Sequence, residues 1–208
     1  MPTLLLATAN SGKLRELRAL LAPTGWQLVT PRERGLAPID VIENGRSYLE
    51  NATRKAVAHA AASRLPALDD DSGLEVDALD GRPGVLSARY GGPAAATDAA
   101  RCALLLRELT GVAPARRTAR FRAVVVLALP GGRVVARDGT LEGRIALAPR
   151  GASGFGYDPV FELPDGRTLA ELGAEKQALS HRALAVRAMM DVIAAQPETP
   201  RDRSGDPA

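Results

Sequence analysis

The order of apolar runs and helical patterns constrains the fold of this chain more than any other feature. Residues 4–17 read LLLATANSGKLREL, which is an apolar run, a polar loop and the start of a helix. Buried strands are predicted at 3–8 and 27–30, on either side of a helix over 11–21. This strand, helix, strand order predicts an α/β fold with a central sheet.

The rest of the chain predicts further elements of both kinds. Helices are expected over 47–63 and in TDAARCALLLRELT. The segments ARFRAVVVLAL and RVVARDGTLEGRIAL predict two longer strands joined by a Pro-Gly-Gly turn, a hairpin that makes the sheet mixed. A last helix is predicted over about 181–195, with Leu184, Ala188 and Val192 facing the core.

Composition indicates one domain of ordinary globular character. The chain has 208 residues, of which 46% are hydrophobic and 25% charged, enough to bury a sizeable core. We assign 1–196 to this domain and predict that 197–208, which is polar and rich in proline, is disordered. Cys102 lies in an apolar helical pattern and is interpreted as a core residue rather than a nucleophile. The first residues lack a basic region and a long apolar run, so we expect no membrane segment and a cytoplasmic location.

The charge of the chain suggests attraction for anions. The net charge is +3 and the pI about 9.4, which makes nucleic-acid binding one hypothesis. Because the arginines are scattered and aromatic residues make up only 3%, platforms for stacking on bases are few, and no nucleic-acid partner is expected. A nucleic-acid-binding protein remains the alternative from another class, with an affinity that would fall steeply with salt.

Lysine is rare in this chain. Only three of the 27 basic residues are lysines, namely Lys13, Lys55 and Lys176, and the rest are arginines. A chain that uses arginine for its surface charge retains lysine where a compact ammonium suits a phosphate oxygen better than a planar guanidinium. The alternative is that the three lysines survive by chance.

The loop TANSGK suggests a phosphate site at the start of a helix. It is not a P-loop, because Ala7 and Leu14 stand where that motif needs glycine and a hydroxyl residue. A loop that opens a helix still offers free N–H groups and the positive end of the helix dipole, to which Lys13 would add a charge. The alternative is a solvated lysine beside an ordinary N-cap, Ser11.

Acidic residues suggest a metal site near this loop. Asp69, Asp70 and Asp71 follow an apolar run and are predicted at the end of a strand, where a divalent metal would relieve their repulsion. Glu43 precedes the helix that carries Lys55. Carboxylates and a lysine beside a phosphate loop are suited to Mg²⁺-assisted attack on a phosphoanhydride. The alternative is an acidic turn.

Two later segments carry further candidates. In EKQALSHR, Ser180 is a plausible N-cap for His181 and Arg182, although a lone histidine at a helix start is more often structural. In FGYDPVF, Phe155 and Tyr157 lie among glycines, where an aromatic ring can stack on a base. His59 is assigned no role.

The chain resembles the inosine triphosphate pyrophosphatase family. The resemblance runs from about residue 3 to 193 and is carried, in order, by TANSGK, ENGRSYLENATRKA, DDSGLEVDAL, GVLSARYGG, GFGYDPVF and EKQALSHR. It implies a two-lobed α/β fold around a central mixed β-sheet, a nucleotide site in the cleft between the lobes, and a homodimer. It also implies hydrolysis of inosine and xanthosine triphosphates and their deoxy forms to the monophosphate and pyrophosphate.

The resemblance also implies roles for particular residues. Asp71 would bind Mg²⁺ with Glu43 and act as the general base, with Asp70 beside it, while Lys55 would help to neutralise the triphosphate. Asp69 departs from the pattern, since related proteins often have a small apolar residue there. The phosphates would be held by Thr8, Ala9, Asn10, Ser11, Gly12 and Lys13, Ser72 would touch the substrate, and the base and sugar would be gripped by Phe155, Gly156, Tyr157, Asp158, Lys176, His181 and Arg182.

A related family is the nearest competing interpretation. The septum-associated nucleotide pyrophosphatases share the fold but carry Ser-x-x-Arg-Arg in the first loop. The sequence NSGK in this chain favours the inosine triphosphate pyrophosphatases.

Overall fold

The computed structural model describes residues 1–196 and contains one mixed sheet of six strands, in the order β2-β1-β3-β4-β5-β6. The first three strands in space are parallel, and every pair from β3 to β6 is antiparallel. This confirms the predicted α/β fold with a mixed sheet. The strands are β1 Thr3–Leu6, β2 Gln27–Val29, β3 Ala67–Val76, β4 Thr118–Ala128, β5 Val134–Ile145 and β6 Phe161–Glu162.

The α-helices occupy the predicted segments, and one further short helix precedes the last of them. The predicted disordered segment 197–208 lies outside the described residues. None of the helices within 1–196 is both long and apolar enough to cross a membrane. The helices are α1 Ser11–Leu21, α2 Tyr48–Ser63, α3 Asp98–Glu108, α4 Lys176–Leu179 and α5 His181–Ala194, and 3-10 turns lie at Ala22–Thr24, Asp77–Leu79, Gly84–Arg89, Gly92–Ala95, Pro114–Arg116, Leu169–Glu171 and Gly173–Glu175.

Polar side chains fix where the helices begin. The N-cap of α1 is Asn10, whose Oδ1 accepts the N–H of Lys13 at 3.0 Å, so the alternative with Ser11 as the cap was wrong by one residue. The side chain of Ser180 caps α5 by accepting the N–H of Ala183, as predicted. Each cap satisfies one of the free N–H groups of its first turn.

Helices cover both faces of the parallel part of the sheet. Leu4 and Leu6 face α1 and α5, while Leu5 faces α2, because successive strand residues point to opposite sides. The prediction that the stripe of Leu184, Ala188 and Val192 faces the core was wrong. Leu184 is 38% exposed, and another side of α5 packs against the core. That buried side is made of Ala185, Val186, Met189 and Ile193.

A second lobe forms around the distal halves of the long strands. Leu74 of β3 and Phe121 of β4 pack there with Leu105 of α3 and with Phe161 of β6. The strands β3 and β4 therefore run through both lobes, and the middle of β3 lies between them. The predicted core position of Cys102 is confirmed, because the residue is buried in this second lobe.

Candidate active site

The three consecutive aspartates lie in the middle of β3, and not at its end as predicted. The strand β1 pairs only with Ala67 and Leu68, the two residues before them. Along the next residues of β3, that side of the strand is free of β1 and open to the loop 7–10 and the start of α1. Lys13, the last residue of the predicted phosphate loop, reaches the backbone carbonyl of Asp70 there, although the aspartates are buried within a continuous strand.

Asp69 and Asp71 face helix α2. Lys55 Nζ lies 2.9 Å from Asp69 Oδ2, and Asn51 Nδ2 donates to Asp71 Oδ2 at 3.0 Å. Asn51 and Lys55 are four residues apart and share a face of the helix, while Asp69 and Asp71 are two residues apart and share a face of the strand. The two pairs can therefore form side by side. Lys55 Nζ is also 3.7 Å from Glu43 Oε1, which brings Glu43 to the same side of β3.

Burial affects the two aspartates on this face. Asp69 is fully buried, and burial raises its pKa to about 7 although Lys55 and Lys13 favour the charged form. Burial also raises the pKa of Asp71, against the effect of the same lysines. The pKa of Lys55 is raised in spite of its burial, chiefly by Asp69, so the ammonium keeps its charge.

The raised pKa of Asp69 predicts a pH-dependent stability. Between an unfolded pKa near 4 and the folded value of about 7, the folded state holds a proton that the unfolded state has released. Stability from this group is therefore greatest at low pH and is lost as the pH rises through about 7. In the intact protein, this group should make the free energy of unfolding fall with rising pH by up to about 1.4 kcal/mol per pH unit across this interval. We expect Asp69→Asn to remove this contribution to the slope, as measured by urea unfolding at several pH values. The exposed Asp138→Asn is the control, and equal slopes in the intact protein and Asp69→Asn would show that Asp69 stays ionised.

Asp70 faces the opposite side of the strand, towards α1 and α5. Arg182 Nε donates to Asp70 Oδ2 at 3.0 Å, and Lys13 Nζ lies 3.5 Å from the same oxygen. Lys13 Nζ also donates to the backbone carbonyl of Asp70 at 2.9 Å. Burial opposes the charged form, but Arg182 and Lys13 hold the pKa of Asp70 well below its usual range. This carboxylate is therefore a fixed negative charge that orients two cations.

A buried chain of charges extends from Asp70 across the first lobe. Arg182 Nη1 donates to Glu16 Oε2, and Lys176 Nζ lies 2.6 Å from both Glu16 Oε1 and Asp158 Oδ2. Positive and negative side chains alternate along this chain of charges, so each charge lies next to one of opposite sign, as buried charges require. Its members, in order, are Asp158, Lys176, Glu16, Arg182, Asp70 and Lys13.

Glu16 was not identified from the sequence. The sequence did contain an indication that this residue is important, because Glu16 lies beside Leu17 on the buried face of α1 and one turn after Lys13. A charged residue on a buried helix face needs an ionic partner. The partners could not be named, since they lie 160 and 166 residues further along the chain.

Phe155 lies against the first turn of α1. A Cβ atom added to Gly12 would lie 2.7 Å from the Phe155 ring, so only glycine allows this approach. The ring centre is 4.8 Å from Lys176 Nζ and 5.7 Å from Arg182 Cζ, within the range of cation–π attraction. The ring therefore joins the loop 151–160 to the cations of the charge chain.

His181 presents a neutral ring to the same region. The ring stacks on Phe121 with centroids 4.7 Å apart, and its buried Nδ1 has no hydrogen-bond partner among residues 1–196. Burial, together with the nearby charges of Arg182 and Lys176, lowers its pKa well below the ordinary value. The imidazole thus has one N–H to donate and one nitrogen to accept.

Helix α3 holds the loop that carries Phe155. Asp98 Oδ2 accepts the N–H of Gly156 at 2.7 Å, and Cys102 Sγ lies 3.4 Å from the carbonyl oxygen of Gly156. Burial raises the pKa of the Cys102 thiol to about 11, which leaves it unreactive. Tyr157 is buried and donates its hydroxyl to the carbonyl of Ser87 at 3.0 Å.

These residues surround a cleft between the two lobes, with an empty space of about 580 Å³ that includes part of its opening to solvent. Of the predicted substrate residues, those that line it are Asn10, Lys13, Ser72, Phe155, Gly156, Tyr157, Asp158, Lys176, His181 and Arg182. Lining residues that the sequence did not suggest include Ser87, Asp98, Arg101 and Phe121.

The remaining predicted residues lie outside this lining. They are Thr8, Ala9, Ser11, Gly12, Glu43, Lys55, Asp70 and Asp71. Lys13 connects the two regions, because its Nζ and that of Lys55 approach the same carbonyl oxygen of Asp70, at 2.9 and 3.5 Å.

The three aspartates do not form a metal cluster. Within 1–196, no three or more His, Cys, Asp or Glu side chains gather to hold an ion. Cations balance two of the aspartates, since Asp69 pairs with Lys55 and Asp70 with Arg182. Asp71 and the half-exposed Glu43 remain, and two carboxylates suit an ion such as Mg²⁺, which keeps several waters and takes further ligands from substrate phosphates.

The sequence pattern of the Ham1 family matches residues 4–192. The chain belongs to the Ham1 family. This confirms the membership predicted from the six motifs. Among relatives of this Ham1 protein, the dITP/XTP pyrophosphatase of Thermus thermophilus is 52% identical over 188 residues, covering 89% of each chain. The dITP/XTP pyrophosphatase of Geobacillus kaustophilus is 49% identical over 188 residues, covering 89% of this chain and 91% of its own.

A solved Ham1 structure has the same fold. The HAM1 protein of Coxiella burnetii superposes with a TM-score of 0.83 at 38% identity, covering 94% of this chain and all of its own. The predicted two-lobed fold around a mixed sheet is therefore confirmed.

Proposed function

We propose that this Ham1 protein hydrolyses the deaminated purine nucleoside triphosphates ITP, dITP and XTP to the monophosphate and pyrophosphate, and so removes them from the nucleotide pool. Relatives that share about half of its residues over most of the chain are dITP/XTP pyrophosphatases. The observation that carries the proposal in this molecule is the meeting of Lys13 and Lys55 at one carbonyl oxygen of β3, beside the carboxylate of Asp71. Cations and an acid so placed suit the cleavage of a phosphoanhydride.

The start of α1 binds the triphosphate. The loop from Thr8 to Lys13 ends at the first turn of the helix, whose N–H groups and dipole favour anions. Lys13 and Lys55 supply two ammonium groups that approach the backbone carbonyl of Asp70. These charges stabilise the negative charge that builds up on the phosphates during the reaction.

Asp71 is the general base. Its carboxylate accepts hydrogen bonds from Asn51 and from the N–H of Ser72, which fix its orientation. Because burial raises the pKa of Asp71, it is a better proton acceptor for water than an exposed aspartate. Glu43 and Asp71 would hold Mg²⁺, which when bound supplies positive charge to the phosphate oxygens.

The cleft binds the base and sugar. The Phe155 ring offers a stacking surface for any purine. The nitrogens of Arg182 already donate to Asp70, Glu16 and Ser72, whereas Nδ1 of His181 has no hydrogen-bond partner within residues 1–196. His181 therefore donates its N–H to the 6-keto oxygen of hypoxanthine or xanthine. Adenine presents an amino donor at that position, so the contact is lost.

A substrate comparison tests this assignment. We expect the ratio of kcat/KM for inosine over adenosine triphosphate to be about 10⁴ in the intact protein, as in sites that read a substituent by hydrogen bonding. His181→Phe keeps a ring against Phe121 but removes both nitrogens, and the ratio should fall about tenfold or more. His59→Phe, at the other histidine, is the control and should leave the ratio unchanged. A ratio near one in the intact protein would contradict the substrate class, and an unchanged ratio in His181→Phe would contradict the role of His181.

The assembly and location follow the family resemblance. The protein acts as a cytoplasmic homodimer on free nucleotides, with no nucleic-acid or membrane partner. The burial of Lys176 and Arg182 within the charge chain supports action on free nucleotides, because it removes these cations from any extended basic surface.

A further inference from the structure

Glu43 and Asp71 come from two differently built parts of the molecule. Asp71 belongs to β3, whereas Glu43 lies in a segment without helix or strand that precedes α2. Two carboxylates that act on one ion must keep a fixed separation. A strand maintains its own geometry, but an irregular segment needs contacts to hold it.

Asn51 contacts both parts with one side chain. Its Oδ1 accepts the N–H of Gly45, two residues after Glu43, at 2.8 Å. Its Nδ2 donates to Asp71 Oδ2 at 3.0 Å. The residue is 1% exposed, so neither bond competes with bulk water.

We propose that Asn51 is the positioning residue that sets the separation of Glu43 and Asp71, an inference that rests on the proposed role of these two carboxylates. The amide has one orientation that serves both partners. If it were flipped, its NH₂ group would face the N–H of Gly45 and its oxygen would face the carboxylate. The planar amide therefore acts as a rigid spacer between the two parts.

The surroundings of Asn51 keep this spacer in place. Asn51 lies in the first turn of α2, where its own N–H donates to the carbonyl of Ser47 at 3.2 Å. Gly45 is required for the close approach, because a Cβ atom there would lie 2.5 Å from Asn51 Oδ1.

Other contacts hold the segment without reaching Asp71. Arg89 donates to the carbonyl of Glu43 at 2.9 Å, and Glu50 Oε2 accepts the N–H of Arg46 at 2.9 Å. Among the hydrogen bonds made within 1–196, those of Asn51 connect the segment of Glu43 to the carboxylate of Asp71. Loss of Asn51 would therefore separate the carboxylates without releasing the segment entirely.

Two variants test the proposal from opposite sides. Asn51→Leu removes both hydrogen bonds and keeps a side chain of similar size. Gly45→Ala leaves Asn51 and Asp71 unchanged but pushes on the amide from the segment, so it also covers the case in which Asn51→Leu does not fold. Glu50→Gln, which alters a contact of the segment that does not involve Asp71, is the control.

The measurements are the affinity for Mn²⁺, followed by electron paramagnetic resonance without nucleotide, and the affinity for inosine triphosphate without metal, followed by calorimetry. We expect both test variants to bind Mn²⁺ about 10–100-fold more weakly, as when a group that orients a metal ligand is lost, with metal-free nucleotide affinity unchanged. Glu50→Gln should match the intact protein in both measurements.

The outcomes separate this proposal from the proposed function. If the intact protein binds Mn²⁺ and both folded variants bind it equally well, the role of Asn51 is wrong and the assignment of the carboxylates stands. If the intact protein binds no Mn²⁺, the carboxylate pair itself is wrong and the positioning role falls with it.

Discussion

Replacing Asp71 with asparagine should lower kcat by about 10²–10⁴-fold, the usual contribution of a general base, and change KM much less. The substitution nearly preserves the shape of the side chain and its place on β3. It removes the proton acceptor and one of the two carboxylates assigned to the metal. The carboxylate accepts from Asn51 at Oδ2 and from the N–H of Ser72 at Oδ1, so an amide would place its NH₂ group against one of these two donors.

The measurement is the initial rate of pyrophosphate release from inosine triphosphate at saturating Mg²⁺. Asp165→Asn is the matched control, because Asp165 pairs with Arg167 at an exposed turn outside the cleft. If Asp71→Asn had the same kcat as the intact protein, the assignment of Asp71 as the general base would be wrong.

Replacing Glu16 with glutamine should destabilise the protein by about 3–5 kcal/mol, the usual effect of removing one partner from a buried ion pair. Glu16 lies between Lys176 and Arg182, all three being buried. The six alternating charges balance, and the substitution leaves one uncompensated positive charge. The new NH₂ group would also face one of the two cations.

Urea unfolding of the intact protein and Glu16→Gln measures this effect. The control is Glu142→Gln, since Glu142 pairs with Arg120 at the surface and is 67% exposed, where an ion pair contributes about 0–1 kcal/mol. Equal losses in the two variants would contradict the view that the charge chain is a main support of the first lobe.

Much of the fold could be predicted because local patterns agree with it. The apolar run of β1 and the helix α1 lie where the sequence pattern predicted them, and the Pro-Gly-Gly turn joins β4 to β5. The two residues of β6 carry no pattern of their own, since that strand exists only through pairing with the end of β5. The buried face of α5 was mistaken because the helix has apolar residues on several sides, and contacts with α1 and the sheet decide which side is buried.

The candidate site was predictable in its members more than in its arrangement. The motifs brought Lys13, Lys176 and His181 to one cleft. Three consecutive acids suggested a single cluster, but strand geometry turns Asp70 away from its two neighbours. The sequence could not show that cations, and not a metal, neutralise two of these acids, because the cations come from three separate helices.

The most direct test of the account is the identity of the products formed from inosine triphosphate. Phosphorus NMR of the complete reaction with Mg²⁺ should show inosine monophosphate and pyrophosphate in equal amounts, and the reaction should stop in excess chelator. Release of orthophosphate in place of pyrophosphate, or full activity in chelator, would contradict cleavage between the α and β phosphates with the help of a metal held by Glu43 and Asp71.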